Sequence, residues 1–245
     1  MQKDFIIVIP ARYSSSRFPG KPLAMIDGKS MIQRVWERCC EAVDEKLVYV
    51  ATDDERISQH CVQRGVQCLK TSENCLTGTD RVYEVSTLVD AKCYVNVQGD
   101  EPLLEPQDIL KVIAEAAKKP NDIINAMCHL ELESDFRSSS VPKVVSRPDG
   151  RLLYMSRAAI PTTKSFEFKS AFKQVCIYAF PKIALKSYAS VDKKTTLEAI
   201  EDIEILRFLE LGYEVSMVKV SSSSIAVDFP EDIRRVEEVL ESEAE

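Results

Sequence analysis

Asp4-Phe5-Ile6-Ile7-Val8-Ile9-Pro10 is a short apolar run without polar alternation. It is followed at once by Ala11-Arg12-Tyr13-Ser14-Ser15-Ser16-Arg17-Phe18-Pro19-Gly20-Lys21-Pro22-Leu23. A strand wetted on one side alternates apolar and polar residues, whereas a strand covered on both faces reads as a continuous apolar run. The first stretch is therefore a central strand, and the second is the loop at its carboxyl end. The pattern repeats downstream. Strands are expected over Leu47–Ala51, Val66–Leu69 and Tyr94–Gln98. Helices are expected from Ser30 to Ala42, Asp54 to Arg64, Asp80 to Val89 and Pro106 to Lys118, with Ser30 as a cap and Pro106 in a first turn. This alternation predicts an α/β fold with a mostly parallel sheet flanked by helices. Ligands of such sheets bind outside the carboxyl ends of the strands. The loops after Ile9, Ala51 and Gln98 are where chemistry is expected.

The middle of the chain changes character. Asp122–Leu132, Val141–Val145, Leu152–Ser156 and Gln174–Phe180 read as strands, with a turn at Pro148-Asp149-Gly150. They predict a small antiparallel insertion over about 122–180, with a polar loop or arm at 161–172. Thr196–Leu211 reads as one helix with Leu197, Ile200, Ile203 and Leu206 inward, closed by Gly212. Val215–Val220 reads as a strand, 221–224 as a loop, and Pro230 to about Leu240 as a last helix. No repeat and no clear linker interrupts the 245 residues, so they are read as a single domain.

Composition removes several classes of function. Lys and Arg number 32 against 39 Asp and Glu, a net charge of −7, which disfavours nonspecific nucleic-acid binding. No apolar run reaches the roughly 18 residues that span a bilayer, and no export signal is legible, so a cytoplasmic protein without a membrane segment is expected. The eight cysteines form no CxxC and are expected to be reduced, buried small hydrophobes. His60 and His129 are the two histidines, which leaves triad hydrolases and histidine-rich metal sites little support. Gly28-Lys29-Ser30 looks like the tail of a P-loop, but the earlier glycine is replaced by Leu23; no GxGxxG occurs either.

Five constellations could carry chemistry. The loop over 10–23 holds Arg12, Arg17 and Lys21 and no acid. On charge alone, a polyphosphate site and a solvated basic loop are equal readings; in a net-acidic chain the polyphosphate site is favoured. Val95-Asn96-Val97-Gln98-Gly99-Asp100-Glu101-Pro102 delivers two acids to a strand end, which suits a hard divalent cation such as Mg2+, with capping by Asp100 as the alternative. Asp228 precedes Phe229-Pro230, and local sequence favours a helix cap there. Leu76-Thr77-Gly78-Thr79-Asp80-Arg81 reads as a helix start capped by Thr79, or as a turn touching a base or ribose. Glu198, Glu201, Glu204 and Arg207 recur every three residues, either as a solvated stripe or as acceptors for sugar hydroxyls.

Taken in order, these pieces resemble the cytidylyltransferases that activate 3-deoxy-manno-octulosonate (Kdo), the CMP-Kdo synthetases. The resemblance runs from about Ile6 to about Val239, through IPARYSSSRFPGKPL, ATDDERI, TGTDRV, VNVQGDEP, LLYMSRAAIP, LEAIEDIEILRFL and VDFPEDI. It implies a nucleotidyltransferase-type sheet that binds a nucleotide, and transfer of CMP from CTP to the anomeric hydroxyl of Kdo with release of pyrophosphate. Arg12, Ser14, Arg17 and Lys21 match the triphosphate loop. Ala11, Thr77, Gly78 and Arg81 match the cytidine surroundings. Asp100 and Asp228 match the acids that hold Mg2+, which reverses the capping preference at Asp228. Arg12, Lys21, Asp100 and Asp228 are the catalytic candidates. Gln98, Arg157, Gln174, Tyr178, Glu198 and Glu201 match positions lining the sugar-acid site, with Arg157 as partner of the sugar carboxylate. A homodimer, and a product feeding lipopolysaccharide or capsule assembly, are implied as well.

The chain departs from that pattern in three places. Gln174-Val175-Cys176 replaces a His-Leu-Gly or His-Val-Gly triplet, which leaves an amino-Kdo or a nonulosonic acid as alternative sugars. The stretch between Ile160 and Lys173, which contributes to the dimer arm in the family, is shorter than usual. Phe229 stands where Thr is usual. A catalytically inactive nucleotide-sugar binding protein is a further alternative.

Overall fold

The computed structural model describes residues 2–15, 17–221 and 225–244. Ser16 and residues 222–224 of the predicted 221–224 loop lie outside the described residues. The chain forms two compact units, 1–110 with 223–245, and 111–222.

The first unit contains β1 (Lys3–Ala11), β2 (Met25–Ile26), β3 (Lys29–Ser30), α1 (Met31–Ala42), β4 (Val48–Thr52), α2 (Glu55–Gln63), β5 (Cys68–Lys70), α3 (Gly78–Leu88) and β6 (Ala91–Val97). The chain leaves it along α4 (Pro106–Lys118). Strands β6, β1, β4 and β5 lie side by side, all parallel. Ile6, Ile7, Val8 and Ile9 are fully buried, as a strand covered on both faces requires. Ile32 of α1 lies beside Ile9, whereas the Tyr94 hydroxyl reaches the Val89 carbonyl at the end of α3. Tyr94 is in register with Ile6, and Ile6 and Ile9 point to opposite faces of the pleat, so α1 and α3 cover opposite sides. Ser30 caps α1 by accepting the Gln33 N–H at 3.3 Å. The same hydroxyl lies 2.7 Å from His60 Nε2 on α2. Burial, and then Arg64, push the His60 pKa below its usual range, and the ring braces the two helices.

The second unit contains β7 (Ile123–His129), α5 (Glu133–Arg137), β8 (Lys143–Ser146), β9 (Leu152–Ser156), β10 (Phe172–Pro181), α6 (Lys182–Ala189), α7 (Thr196–Glu201), α8 (Ile205–Glu210) and β11 (Val215–Lys219). The chain then returns to the first unit as α9 (Asp232–Ala244), where Val236 joins Ile26, Met31, Leu103 and Val227 in one apolar cluster. The mostly parallel sheet, the flanking helices and a small antiparallel set of strands agree with expectation. Within the stretch expected to be antiparallel, β7 pairs antiparallel with β10, β10 with β8 and β8 with β9, while β7 also pairs parallel with β11.

The helix expected over Thr196–Leu211 is two helices. Asp202 adopts φ 53°, ψ 49° between them, a left-handed conformation that Asp tolerates better than most residues. Helices α5 and α6 were not legible in the sequence pattern. All eight cysteines are free thiols, but only Cys39, Cys61 and Cys128 are buried; the other five are half-buried.

Candidate active site

The loop after β1 is shaped by Gly20. Its φ of 74° is left-handed, its N–H donates to the Tyr13 carbonyl at 2.9 Å, and an added Cβ would stand 3.1 Å from the Tyr13 ring. Arg56, paired with Asp54, lies 3.2 Å from the centre of that ring. The chain then closes into a 3-10 turn over Lys21–Leu23 with Pro22 buried. Gly20→Ala is expected to cost about 1–2 kcal/mol from the left-handed backbone alone. The loop cations should lose their placement with it, and weaker binding of inorganic triphosphate in calorimetry checks it.

The turn directs Lys21 at the end of β6. Its ammonium donates to Asp100 Oδ2 and to the Val227 carbonyl, each at 2.9 Å, and lies 3.9 Å from Asp228 Oδ1. Arg17 lies 3.2 Å from Asp228 and 5.5 Å from the centre of the Phe229 ring. The Val227 N–H donates to the Asp100 carbonyl at 2.9 Å, which clips the approach to α9 onto the end of β6. Four of the predicted residues, Arg17, Lys21, Asp100 and Asp228, are thus brought together. Arg12 and Ser14 are exposed on the same loop, and Arg12 has no ion pair among the described residues; Ala11 is buried at the end of β1.

The local capping preference at Asp228 is overturned. It is the Asp232 carboxylate that accepts the N–H groups of Asp228 and Phe229, both at 2.9 Å, and the Asp228 side chain faces cations instead. Asp100, Asp228 and the Val227 carbonyl converge on one ammonium, so three hard oxygens already surround a positive charge. No group of three or more His, Cys, Asp or Glu side chains is placed to hold a metal ion among the described residues. Two carboxylates are what Mg2+ takes from a protein when substrate phosphates and water supply the rest, so the donor set fits that ion.

At the start of α3, Thr77 rather than Thr79 is the cap, in a reciprocal box with Asp80; Gly78 is the first helical residue. Arg81 is buried, 3.2 Å from Asp53 Oδ1 and hydrogen-bonded to the Thr71 hydroxyl. It braces the loops after β4 and β5. Asp53 had no signal in the sequence beyond its place at a strand's carboxyl end. Gln98, half-buried at the end of β6, has no hydrogen-bond partner for its amide among the described residues.

The second unit holds the other predicted residues. Arg157 donates through three nitrogens to backbone carbonyls, those of Glu201, of Ser139 at 2.8 Å and of Asp202 at 2.9 Å. A guanidinium has five N–H bonds, so two remain, and the Asp202 carboxylate lies 3.8 Å from the Nη2 nitrogen. The Glu201 carboxylate accepts from the Ser156 hydroxyl at 2.6 Å and from the Arg157 backbone N–H at 2.8 Å. Burial raises the Glu201 pKa, but the bonds from Ser156, Arg157 and Tyr154 outweigh it and hold the group below the usual carboxylate range. Lys143, which the sequence did not single out, is fully buried beneath them. Its ammonium donates to the carbonyls of Ser138 and Arg157, both at 2.7 Å, and burial, then the Arg157 charge, push its pKa down.

Glu198 is placed otherwise than as a solvated or sugar-facing acid. It is fully buried and bidentate to Arg207, at 2.6 and 2.7 Å, with the Tyr188 hydroxyl at 3.1 Å. The Tyr178 ring is buried on β10, stacked 5.7 Å from Phe180. Gln174 donates to Asn125 Oδ1 at 3.0 Å. The Asn125 amide in turn donates to the carbonyls of Val175 and Ile177, both at 3.0 Å. Carbonyls only accept, so this chain fixes both amides and leaves Gln174 Oε1 as an acceptor.

The cytidylyltransferase family model matches residues 6–219. The chain is 40% identical over 248 residues to the 3-deoxy-manno-octulosonate cytidylyltransferase of Protochlamydia amoebophila, covering 98% of this chain and 95% of that one. It is 38% identical to the 8-amino-3,8-dideoxy-manno-octulosonate cytidylyltransferase of Shewanella sp. strain W3-18-1, over 97% of this chain and 98% of that one. A solved structure of CMP:2-keto-3-deoxy-manno-octonic acid synthetase complexed with CTP superimposes with a TM-score of 0.90 at 34% identity, covering 98% of this chain and 100% of that one. The basic loop, the acid pair that faces it and these similarities lead to one conclusion: the chain belongs to the cytidylyltransferase family, among the 3-deoxy-manno-octulosonate cytidylyltransferases.

Proposed function

We propose that the protein transfers CMP from CTP to the anomeric hydroxyl of Kdo, giving CMP-Kdo and pyrophosphate. The observation that carries this reading is the placing of Arg17 and Lys21 beside the Asp100–Asp228 pair, on a loop that also carries Arg12. The sugar hydroxyl attacks the α-phosphorus in line, and the bond to the β-phosphate bridging oxygen breaks. Arg12, Arg17 and Lys21 bind the triphosphate and offset the charge that grows on the departing pyrophosphate. Ser14 adds a hydroxyl donor. Ala11, Thr77, Gly78 and Arg81 surround the cytidine. Asp100 and Asp228 would hold Mg2+, which when bound supplies Lewis-acid polarisation of phosphoryl oxygens. The two N–H bonds of Arg157 that carbonyls do not take bind the sugar carboxylate in place of the exposed Asp202 carboxylate, 3.8 Å away, while Lys143 and Glu201 keep the Arg157 backbone in place. Gln98, Gln174, Tyr178, Glu198 and Glu201 complete the proposed sugar set, Glu198 acting by holding α7 against Arg207. No helix among the described residues is long and apolar enough to cross a membrane. A cytoplasmic homodimer supplying lipopolysaccharide or capsule assembly belongs to the same proposal.

Gln174 supports a second reading in which the sugar carries an amine. A fixed amide oxygen accepts from a hydroxyl or from an ammonium, and the Kdo and 8-amino relatives are nearly equally similar to this chain. Pyrophosphate release with CTP, Mg2+ and each sugar decides between them. Kdo is expected to be turned over at least tenfold faster, as kcat/KM, than its 8-amino counterpart. The reverse preference would replace Kdo by the amino sugar, and no release with either would remove cytidylyl transfer. Gln174→Leu is expected to lower kcat/KM for the preferred sugar about tenfold, the loss of one hydrogen bond, without changing the KM for CTP.

A further inference from the structure

In the first unit Arg17, Lys21, Asp100 and Asp228 pair with one another. Lys21 donates to Asp100 and Val227 and lies within 4 Å of Asp228, and Arg17 closes the far side of Asp228. The geometry points to Lys21 as a resident counter-ion: its ammonium fills the three-oxygen nest that a divalent cation would use, and leaves it when nucleotide phosphates offer another partner. The nucleotide half of this inference rests on the function proposed above.

The Lys21 side chain is 17% exposed and Asp100 23%, so the contact is shielded from solvent. Arg17 is 53% exposed, and its pair with Asp228 is correspondingly screened. Lys21 therefore dominates the competition. A divalent cation binding alone must displace an ammonium whose carboxylate partners within 4 Å, among the described residues, are Asp100 and Asp228 themselves. A triphosphate binding alone must face two carboxylates while drawing away their counter-ions. With both ligands present, every charge finds an opposite partner. Each ligand must then tighten the other by the same factor, because coupling between binding equilibria is reciprocal. Arg12 supplies the control. It carries the same charge on the same loop and touches neither acid.

Titration of the protein with Mn2+ without nucleotide, followed by the loss of the free-ion EPR signal, tests the exchange. Lys21→Met and Lys21→Gln are expected to tighten Mn2+ at least tenfold, and Arg12→Gln to change it less than twofold. Calorimetry should show CTP and Mn2+ tightening each other at least tenfold in the wild type and by less than threefold in Lys21→Met. A folded Lys21 variant with unchanged Mn2+ affinity, or an Arg12→Gln variant with an equal gain, would overturn the exchange and leave the nucleotide reading intact. Tighter Mn2+ in the Lys21 variants with no CTP binding to the wild type would retain the counter-ion and remove the nucleotide. Both Lys21 variants are checked for a cooperative melt, and a melting loss in one leaves the other to decide.

Discussion

Asp100→Asn is expected to lower the kcat for pyrophosphate release by about 10²–10³-fold, the scale of removing one electrostatic contact to the reacting phosphates. The change keeps shape and removes charge. The amide oxygen can still accept from Lys21, and the backbone bond from Val227 to the Asp100 carbonyl does not involve the side chain. The melting temperature should therefore stay within a few degrees, and metal-free CTP should still bind. This separates loss of chemistry from loss of fold. Initial rates with saturating CTP and Kdo, beside a thermal melt, are the measurement. A rate within fivefold of the wild type would take Asp100 out of the reaction.

Arg207→Met is expected to be the most damaging single change to stability, costing about 3–5 kcal/mol, because it leaves a buried carboxylate without its counter-charge. Arg207 and Glu198 are fully buried and joined by two short bonds, and the Arg207 guanidinium also lies 3.7 Å from the centre of the Tyr188 ring. Glu198 further accepts the Thr195 N–H at 3.0 Å, which caps α7. Urea unfolding of Arg207→Met and Glu198→Gln should show both midpoints falling together. A Glu198→Gln protein with normal stability and a raised KM for Kdo alone would make Glu198 a sugar contact instead.

The elements legible in the sequence are those whose burial leaves a periodic trace. Residues 6–9 read as a strand because both faces are covered, and Ser30 and Pro106 announced their helices by chemistry that helix ends require. The basic loop and Asp100 were legible because charge is conspicuous beside an apolar strand. Pairings over long sequence distance left no such trace. Glu198 and Arg207 have the spacing of a solvated stripe along one helix, and only the left-handed turn at Asp202, without Gly or Pro to mark it, folds them onto each other. Lys143 opens a strand pattern, and nothing local says that its ammonium ties two carbonyls underneath. Asp228 has the local sequence of a cap, and its true partners, Arg17 and Lys21, lie at the other end of the chain.

The clip between Val227 and Asp100 also sets an order of events during synthesis. Arg12, Lys21 and Asp100 emerge from the ribosome long before Asp228 is joined to the chain, and domains of this kind fold as their residues appear. Until the segment from Ile225 through α9 has been added, Ile26, Met31 and Leu103 lack the apolar cover of Val227 and Val236, and Lys21 has one carboxylate instead of two. The acid pair is thus completed only when the chain returns to the first unit. A chain cut short before Val227 retains every loop cation but neither the second acid nor the apolar cover of α9.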